Sequence, residues 1–295
     1  MAKRIFAVLI AAAALSACAS PLAQAETPQQ ALVAATQKMS ALQSAKVDLN
    51  GTVTMHLPPQ LAQLLNQEGT KAQGFDLSNL VVTLKGTGEA QFPDRLHAQI
   101  STQLGGLTVT TEEVVAAGKA YVKNPVTGRW SLAQSTGGLS NELNQPDPLS
   151  AAQLLDTAKS VTDLGDTTLA GVAVHHYRLT PDRSKLIAKL QSLPALKNNA
   201  QAQQAFTQIL NGGTMTLEVW FGKSDHLVRR LVSDATLTFD LGQLMQALGT
   251  GRGTQGTPLP HTTVAPGAAS QVVAHLQIDY HDFNTPVTVT VPQVG

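Results

Sequence analysis

Apolar and polar residues alternate along most of this chain, and residues 46–57 show the pattern clearly. The apolar side of that segment consists of Val47, Leu49, Val53, Met55 and Leu57. A period of two is typical of a strand with one buried face and one solvated face. The same alternation recurs at 80–84, 96–100, 215–221, 235–239, 272–280 and 287–291. Less regular strands are predicted at 107–117, 119–124, 172–179 and 227–233. We therefore expect an α+β protein built on a large antiparallel sheet of about ten strands with one apolar face.

The predicted helices are few and lie between groups of strands. The first begins at Thr27-Pro28-Gln29-Gln30, a capping-box pattern with proline at the first helical position. It is expected to extend over residues 27–45. Shorter helices are predicted at 59–67 and at 148–160, the latter opened by Asp147-Pro148. The predicted helices are too few to cover most of the apolar face of so large a sheet.

The longest helical segment predicted is 184–211, which is interrupted at Pro194. Its first part carries Leu186 and Leu190 one helical turn apart, so both lie on the same side of the helix. Residues 249–270 are rich in Gly, Pro and Thr, and this composition predicts a flexible loop.

The chain begins with a pattern typical of an exported protein. Lys3 and Arg4 precede an apolar run over residues 5–15, which is shorter than the roughly 20 residues needed to span a bilayer. Such a run fits the hydrophobic region of a secretory signal peptide. The next residues, Leu15-Ser16-Ala17-Cys18, resemble the bacterial lipobox, in which a peptidase cuts before a diacylated cysteine.

We therefore expect residues 1–17 to be removed and Cys18, the one cysteine of the chain, to carry a lipid anchor. Residues 18–26 are then a linker. Because no boundary divides the strand pattern, residues 27–295 are expected to form a single domain. The alternative is cleavage after Ala23-Gln24-Ala25, which would release a soluble protein.

The charge balance argues against a nucleic-acid partner. The sequence has 20 Lys and Arg residues against 20 Asp and Glu residues, and only 14% of all residues are charged. Loss of a signal peptide would also remove Lys3 and Arg4, which leaves the chain slightly acidic. A protein that binds nucleic acid usually carries a basic patch, and this composition offers none.

One motif matches a nucleotide-binding fingerprint by its letters alone. Gly251-Arg-Gly253-Thr-Gln-Gly256 has the G-x-G-x-x-G spacing, but that site needs a helix that starts at its end. Pro258 and Pro260 follow instead, so no helix can begin in that frame. We expect no nucleotide cofactor.

The histidines do not form a metal-binding pattern. His175 and His176 are adjacent on a predicted strand and so face opposite sides. His275 and His281 lie on the polar side of the strand at 272–280 with Asp279 between them, and a solvated sheet face explains them better than a metal site. The sequence contains no H-E-x-x-H pattern and no pair of cysteines, so we expect no metal.

No catalytic motif points to an enzyme. The nearest approach to a G-x-S-x-G elbow is Gly222-Lys-Ser224-Asp-His226, which lies at a predicted hairpin turn. Glu112 and Glu113 are neighbours on a strand and point apart, which is unsuitable for two cooperating carboxyl groups. A triad assembled from distant positions stays open as an alternative. We expect no enzymatic activity and no catalytic residues.

A large one-sided sheet must cover its apolar face with helices or with a ligand. Aromatic residues make up 4% of the chain, so the inward positions offer little volume to fill a wide concave space. One interpretation is a cavity for acyl chains, closed on one side by helices near 184–211. Its predicted lining is Leu80, Val82, Leu84, Ile100, Leu186, Leu190, Leu217, Val219 and Leu237. The alternative is an ordinary core packed by the segments 184–211 and 27–45.

Five sequence motifs occur in an order that resembles a known family. They are GKAYVKNPVTGRW (118–130), DPLSAAQLL (147–155), VHHYRLTPD (174–182), VWFGKSDHLVRRL (219–231) and DFNTPVTVTVP (282–292). Together with the lipobox they resemble the LppX/LprG-type lipoproteins of mycobacteria and their relatives, which include LprA and LprF. Those proteins are structurally akin to the periplasmic lipoprotein carriers LolA and LolB. The resemblance covers roughly residues 27–292.

The resemblance implies a half-barrel sheet with helices over its concave apolar face and a cavity for lipid acyl chains. It further implies a lipoprotein on the outer side of the cytoplasmic membrane that carries or presents lipids or glycolipids in the cell envelope. We expect a monomer that contacts the membrane through the anchor on Cys18. The competing hypotheses are a LolA-like sensor of envelope stress, a structural surface lipoprotein without lipid cargo, and an unrecognised hydrolase.

Overall fold

The computed structural model describes residues 26–58, 78–133, 158–192, 199–240 and 269–294. In these ranges the strands form one open, curved antiparallel sheet in the order β6-β5-β4-β3-β2-β1-β11-β10-β9-β8-β7. The strands are β1 Ser44–His56, β2 Asn79–Gln91, β3 Arg95–Leu104, β4 Leu107–Ala116, β5 Lys119–Lys123, β6 Trp130–Leu132, β7 Ala158–Leu169, β8 Val172–Pro181, β9 Thr214–Gly222, β10 Val228–Asp240 and β11 Ala269–His281. The helices are α1 Pro28–Ser40, α2 Arg183–Ser192 and α3 Ala200–Gly212. The predicted α+β class with a large curved sheet is therefore confirmed, with eleven described strands where about ten were expected.

The first helix begins with the capping box that the sequence predicts. The Gln30 backbone N–H donates to the Thr27 hydroxyl at 3.3 Å, and the Thr27 backbone N–H donates to Gln30 Oε1 at 2.9 Å. These bonds satisfy donors that the first turn of a helix otherwise leaves free. The helix ends at Ser40, short of the expected residue 45, because residues from Ser44 onward already pair in β1.

The sheet consists of two runs of strands that meet in its middle. Strands β1 to β6 follow one another on one side, and β11 back to β7 follow one another on the other side. The two runs are joined where β1 pairs with β11, with Leu49 opposite Ile278 and Val53 opposite Ala274. The first and last strands of the described chain therefore lie side by side at the centre of the sheet.

Strand register separates an inner face, which carries α1, from an outer face. One inner row runs across eight strands through Tyr177, Val219, Leu231, Ile278, Leu49, Gly86, Ile100 and Thr111. The neighbouring outer row runs through His176, Trp220, Arg230, Asp279, Asp48, Thr87, Gln99 and Glu112. The predicted division into an apolar side and a polar side thus persists across these strands.

Two glycines on the inner face of β2 permit close packing between neighbouring strands. A Cβ atom on Gly88 would lie 2.8 Å from Val47 Cγ2, and one on Gly86 would lie 3.0 Å from the Gln99 carbonyl oxygen. Real Cβ atoms essentially never approach to the first of these distances, so a side chain at Gly88 would force its neighbours apart. The absence of side chains at these two positions therefore lets residues of β1 and β3 approach β2 closely.

The predicted strand at 287–291 is wrong. Residues 284–294, which we call the strap, run along the outer face of β4 to β6 without a sheet ladder, apart from a single bridge between Trp130 and Val294. Val289 is 2% exposed and packs in a cluster with Val114, Ala116 and Tyr121. An extended segment with one buried side has the same period of two as a strand, which explains the error. The strap also contains Pro286 and Pro292, which have no N–H to donate to a ladder.

Other element boundaries also differ from the sequence prediction. Residues 158–160 begin β7 and are not the end of a helix at 148–160, whose other residues lie outside the described ranges. Ala269 and Ser270 begin β11 and are not part of the loop predicted at 249–270, the rest of which also lies outside them.

Strands β6 and β7 were not predicted at all. Strand β7 contains two register shifts and has polar residues on both sides, so its alternation is weak. Strand β6 has three residues, which are too few for a periodic signal. The stretches predicted at 227–233 and 235–239 form one continuous strand, β10.

The segment predicted as helical at 184–211 forms two helices, as the proline inside it suggested. The residues around Pro194 and the helix predicted at 59–67 lie outside the described ranges. Among the helices of the described residues, none is long and apolar enough to cross a membrane.

Candidate functional site

Helix α1 covers the part of the inner face that β8, β9 and β10 form. Its buried residues pack against β8, β9 and β10 in a group that we call the α1 core. The α1 core consists of Ala31, Leu32, Ala35, Tyr177, Leu179, Val219, Phe221, Val228 and Leu231. Each of these residues is at most 6% exposed. This side of the sheet is a packed hydrophobic core of the ordinary kind.

The inner face continues beyond the α1 core as a band of aliphatic side chains on β1, β2, β3, β10 and β11. We call this band the aliphatic surface. Its members are Leu49, Val53, Met55, Leu80, Val82, Leu84, Ile100, Leu104, Leu237, Val272 and Leu276. All of them are half-buried, and none belongs to a buried cluster of the described residues. The described helices therefore seal only part of the apolar face.

The seven strand residues predicted to line a cavity fall into three groups. Leu80, Val82, Leu84, Ile100 and Leu237 all lie on the aliphatic surface, where register places them on one face of β2, β3 and β10. Leu217 packs at the margin of the α1 core. Val219 lies within that core and is 3% exposed.

The two predicted lining residues on helices are less closely associated with this surface. Leu186 is half-buried on α2, while the side chain of Leu190, also on α2, lies outside the described part of the structure. Helix α2 is tied to the end of α3 because the Arg183 guanidinium donates to the carbonyl oxygens of Asn211 and Gly213. Gly213 in turn lies against β10, where an added Cβ would be 2.5 Å from Leu237 Cδ2. The pair of helices therefore stands at the Leu237 end of the aliphatic surface.

Sequence reasoning missed several members of the aliphatic surface. Val53, Met55, Val272 and Leu276 belong to alternating segments that the sequence identifies, but they were not assigned to the cavity lining. Their place on the aliphatic surface follows from the pairing of β1 with β11, which brings Met55 opposite Val272. A pairing between strands more than 200 residues apart leaves no signal in the periodicity of either strand.

Glu113 is the one charged residue on the inner face of the described strands β1 to β5. Register places it opposite Ala98 on one side and Val122 on the other. Its Oε1 atom is buried and has no hydrogen-bond partner. Burial raises the pKa of this carboxyl group above its ordinary value, because desolvation penalises the charged form.

The outer face, which the sequence predicts to be polar, carries pairs of oppositely charged side chains. Glu112 accepts from Lys123 at 2.7 Å and contacts His97 at 2.9 Å. The hydrogen bond from Lys123, followed by the contact with His97, holds the pKa of Glu112 below its ordinary value. Glu112 and Glu113 thus lie on opposite faces of β4, as the sequence predicted, with pKa shifts in opposite directions.

The histidines pair with carboxylates on separate parts of the sheet. His175 lies between Asp163 and Asp166 at 2.7 and 2.6 Å, whereas His176 contacts Glu218 at 2.8 Å on the other face. His275 contacts Asp234 at 2.7 Å. Over the described ranges, no group of three or more His, Cys, Asp or Glu side chains is arranged to hold a metal ion.

No protein-family model matches the chain, and no curated protein matches it. Solved structures are similar over most of its length. LprF from Mycobacterium bovis is 14% identical with a TM-score of 0.42, over 90% of this chain and 97% of that one. The lipoprotein LppX from Mycobacterium tuberculosis is 14% identical with a TM-score of 0.36, over 90% of this chain and all of that one. A LolA superfamily protein from Nitrosomonas europaea is 10% identical with a TM-score of 0.25, over 89% and 94% of the two chains. These structures are of the LppX-type and LolA-type proteins that the sequence motifs resemble. At these sequence identities, the similarity concerns the fold alone.

Proposed function

We propose that this chain is a lipid-anchored extracytoplasmic protein that binds lipid acyl chains on its aliphatic surface. It carries or presents lipids or glycolipids in the cell envelope, works as a monomer and is attached to the membrane through Cys18. The proposed lining is Leu80, Val82, Leu84, Ile100, Leu186, Leu190, Leu217, Val219 and Leu237. Leu217 then lies at the boundary between the lipid and the α1 core, and Val219 belongs to that core behind it.

The observation that carries this proposal is the unequal covering of the inner face. The α1 core has the burial of a packed interior, whereas the aliphatic surface on the same sheet is only half-buried among the described residues. Burial of apolar area stabilises by about 25 cal/mol per Å², so a face of this kind gains free energy from an apolar partner. An acyl chain gains about 0.8 kcal/mol for each methylene group that it buries there.

The experiment is mass spectrometry of lipids extracted from the purified protein, with a bulky substitution inside the proposed site. Val82 lies on the inner face of β2, between Val53 and Leu104 in register. The variant Val82→Trp should retain several-fold less lipid than the parent, because the indole occupies volume that the acyl chain needs. Its melting temperature should stay close to that of the parent if the site has spare volume.

The matched control is Val81→Trp on the same strand. Val81 is 41% exposed and faces the outer side, opposite Thr54. Its substitution should leave the lipid content unchanged. If the parent protein holds no lipid and Val82→Trp costs about 1–3 kcal/mol of stability, the surface is a packed core and the carrier function is wrong. That outcome would favour the sensor or structural hypothesis.

A further inference from the structure

The residues on the inner face change from apolar to partly polar between the centre of the sheet and β4. On β1 and β2 its residues are Gly, Ala, Val, Leu and Met throughout. Strands β3 and β4 then place Thr102, Thr111 and Glu113 on the same face. Helix α1 packs against β8, β9 and β10, and β4 is five strand positions from β10 in the order of the sheet. The aliphatic surface therefore has an apolar middle and a polar end.

At this polar end, Glu113 carries the buried side-chain oxygen that lacks a hydrogen-bond partner. The Thr111 hydroxyl donates to the Ile100 carbonyl at 3.3 Å, so part of its hydrogen-bonding capacity is used inside the sheet. The Oε1 atom of Glu113 is buried without such a bond. An unsatisfied buried carboxyl oxygen costs free energy, and the cost is recovered when a donor is supplied.

We propose that Glu113 selects the ligand, by accepting a hydrogen bond from a hydroxyl or amine group that a bound lipid carries next to its acyl chain. This inference rests on the proposed function and adds an orientation to it. The acyl chain lies over the centre of the sheet on β1, β2 and β11, and the donor group of the lipid lies over β3 and β4. A lipid without a donor leaves the Glu113 oxygen unsatisfied and binds less tightly.

The test compares two probes that share one acyl chain. Monopalmitoylglycerol carries two free hydroxyl groups, whereas methyl palmitate has an ester but no donor. Both are titrated as competitors against a fluorescent fatty acyl probe bound to the delipidated protein. We expect the parent to prefer monopalmitoylglycerol by about tenfold, since hydrogen bonds to charged groups are among the stronger ones in proteins.

Two substitutions and a control separate recognition from general effects. Glu113→Leu should bring the preference close to one while methyl palmitate binds as in the parent or more tightly. Glu113→Gln keeps a carbonyl acceptor and should retain an intermediate preference. Glu89→Leu removes one carboxylate from the outer face, where the side chain is 43% exposed, and should leave the preference at its parental value.

The outcomes distinguish this inference from the proposed function. If the parent binds both probes equally, or if Glu113→Leu keeps the preference, acyl chains still bind but Glu113 does not select the ligand. If the parent binds neither probe, the proposed function is itself wrong and the selection by Glu113 is overturned with it.

Discussion

At the scale of single residues, β4 shows how the period of two places neighbouring residues on opposite faces of the sheet. Glu112 faces solvent with Lys123 and His97, while Glu113 faces the apolar side. The sequence predicts that the two side chains point apart, because consecutive strand residues always do. It does not predict which carboxyl group is desolvated, since that depends on residues brought together by strand pairing.

The two carboxyl groups should therefore contribute to stability with opposite signs as pH changes. The pKa of Glu112 is lowered in the folded state, so its contribution is present above its unfolded value near 4.5 and is lost as pH falls through the folded pKa. The pKa of Glu113 is raised, so the folded state loses stability as pH rises above the unfolded value.

Removal of each charge should reveal this contrast in urea unfolding. Glu112→Gln should destabilise the protein at pH 7, by less than about 1 kcal/mol because its pairs are accessible to solvent. Glu113→Gln should stabilise it at pH 7. The Glu113 difference should vanish as the pH falls to the unfolded value near 4.5, and the Glu112 difference should shrink below that value, through its lowered folded pKa. A Glu113→Gln variant that is less stable than the parent at pH 7 would contradict the assignment of Glu113 as a desolvated, unpaired acid.

At the scale of elements, the strap shows where a sequence pattern is ambiguous. The alternation of Val287, Val289 and Val291 predicts an extended chain with one buried side, and that much is correct. The partner is the outer face of β4 to β6, where the Arg95 guanidinium donates to the Val289 carbonyl at 2.9 Å. The alternation is the same for a strand in a ladder and for a segment laid across a sheet, so it cannot distinguish the two.

The strap should stabilise the β4 to β6 end of the sheet through Val289. This residue is 2% exposed, and Val289→Ala should lower the free energy of unfolding by about 2 kcal/mol through lost burial and the cavity left behind. Val291→Ala is the control on the same segment, because Val291 is 42% exposed and should change stability only slightly. Equal effects of the two substitutions in chemical denaturation would show that the strap is not packed as described.

At the scale of the whole molecule, the sequence predicts the sheet and its apolar face better than the arrangement of the strands. Five of the proposed lining residues meet on one surface because each strand keeps its alternation after pairing. The central pairing of β1 with β11 could not be predicted, because it depends on which strands find each other across the whole chain. Long-range pairing leaves the period of each strand unchanged and so gives no local signal.

The proposed lipid anchor on Cys18 can be tested without knowledge of the ligand. Residues 3–18 combine two basic residues, a short apolar run and the Leu-Ser-Ala-Cys order of a lipobox. Two acyl chains on one cysteine anchor a protein stably, whereas a single chain binds membranes only marginally.

Cys18→Ala should therefore move the protein from the membrane fraction to the soluble fraction, and Cys18→Ser should behave in the same way because serine does not accept the thioether-linked lipid. Intact mass measurement of the parent should give a chain that starts at Cys18 with added lipid. A parent chain that starts at Glu26, or a Cys18→Ala variant that stays with the membrane, would contradict the assignment of Cys18 as the lipid anchor.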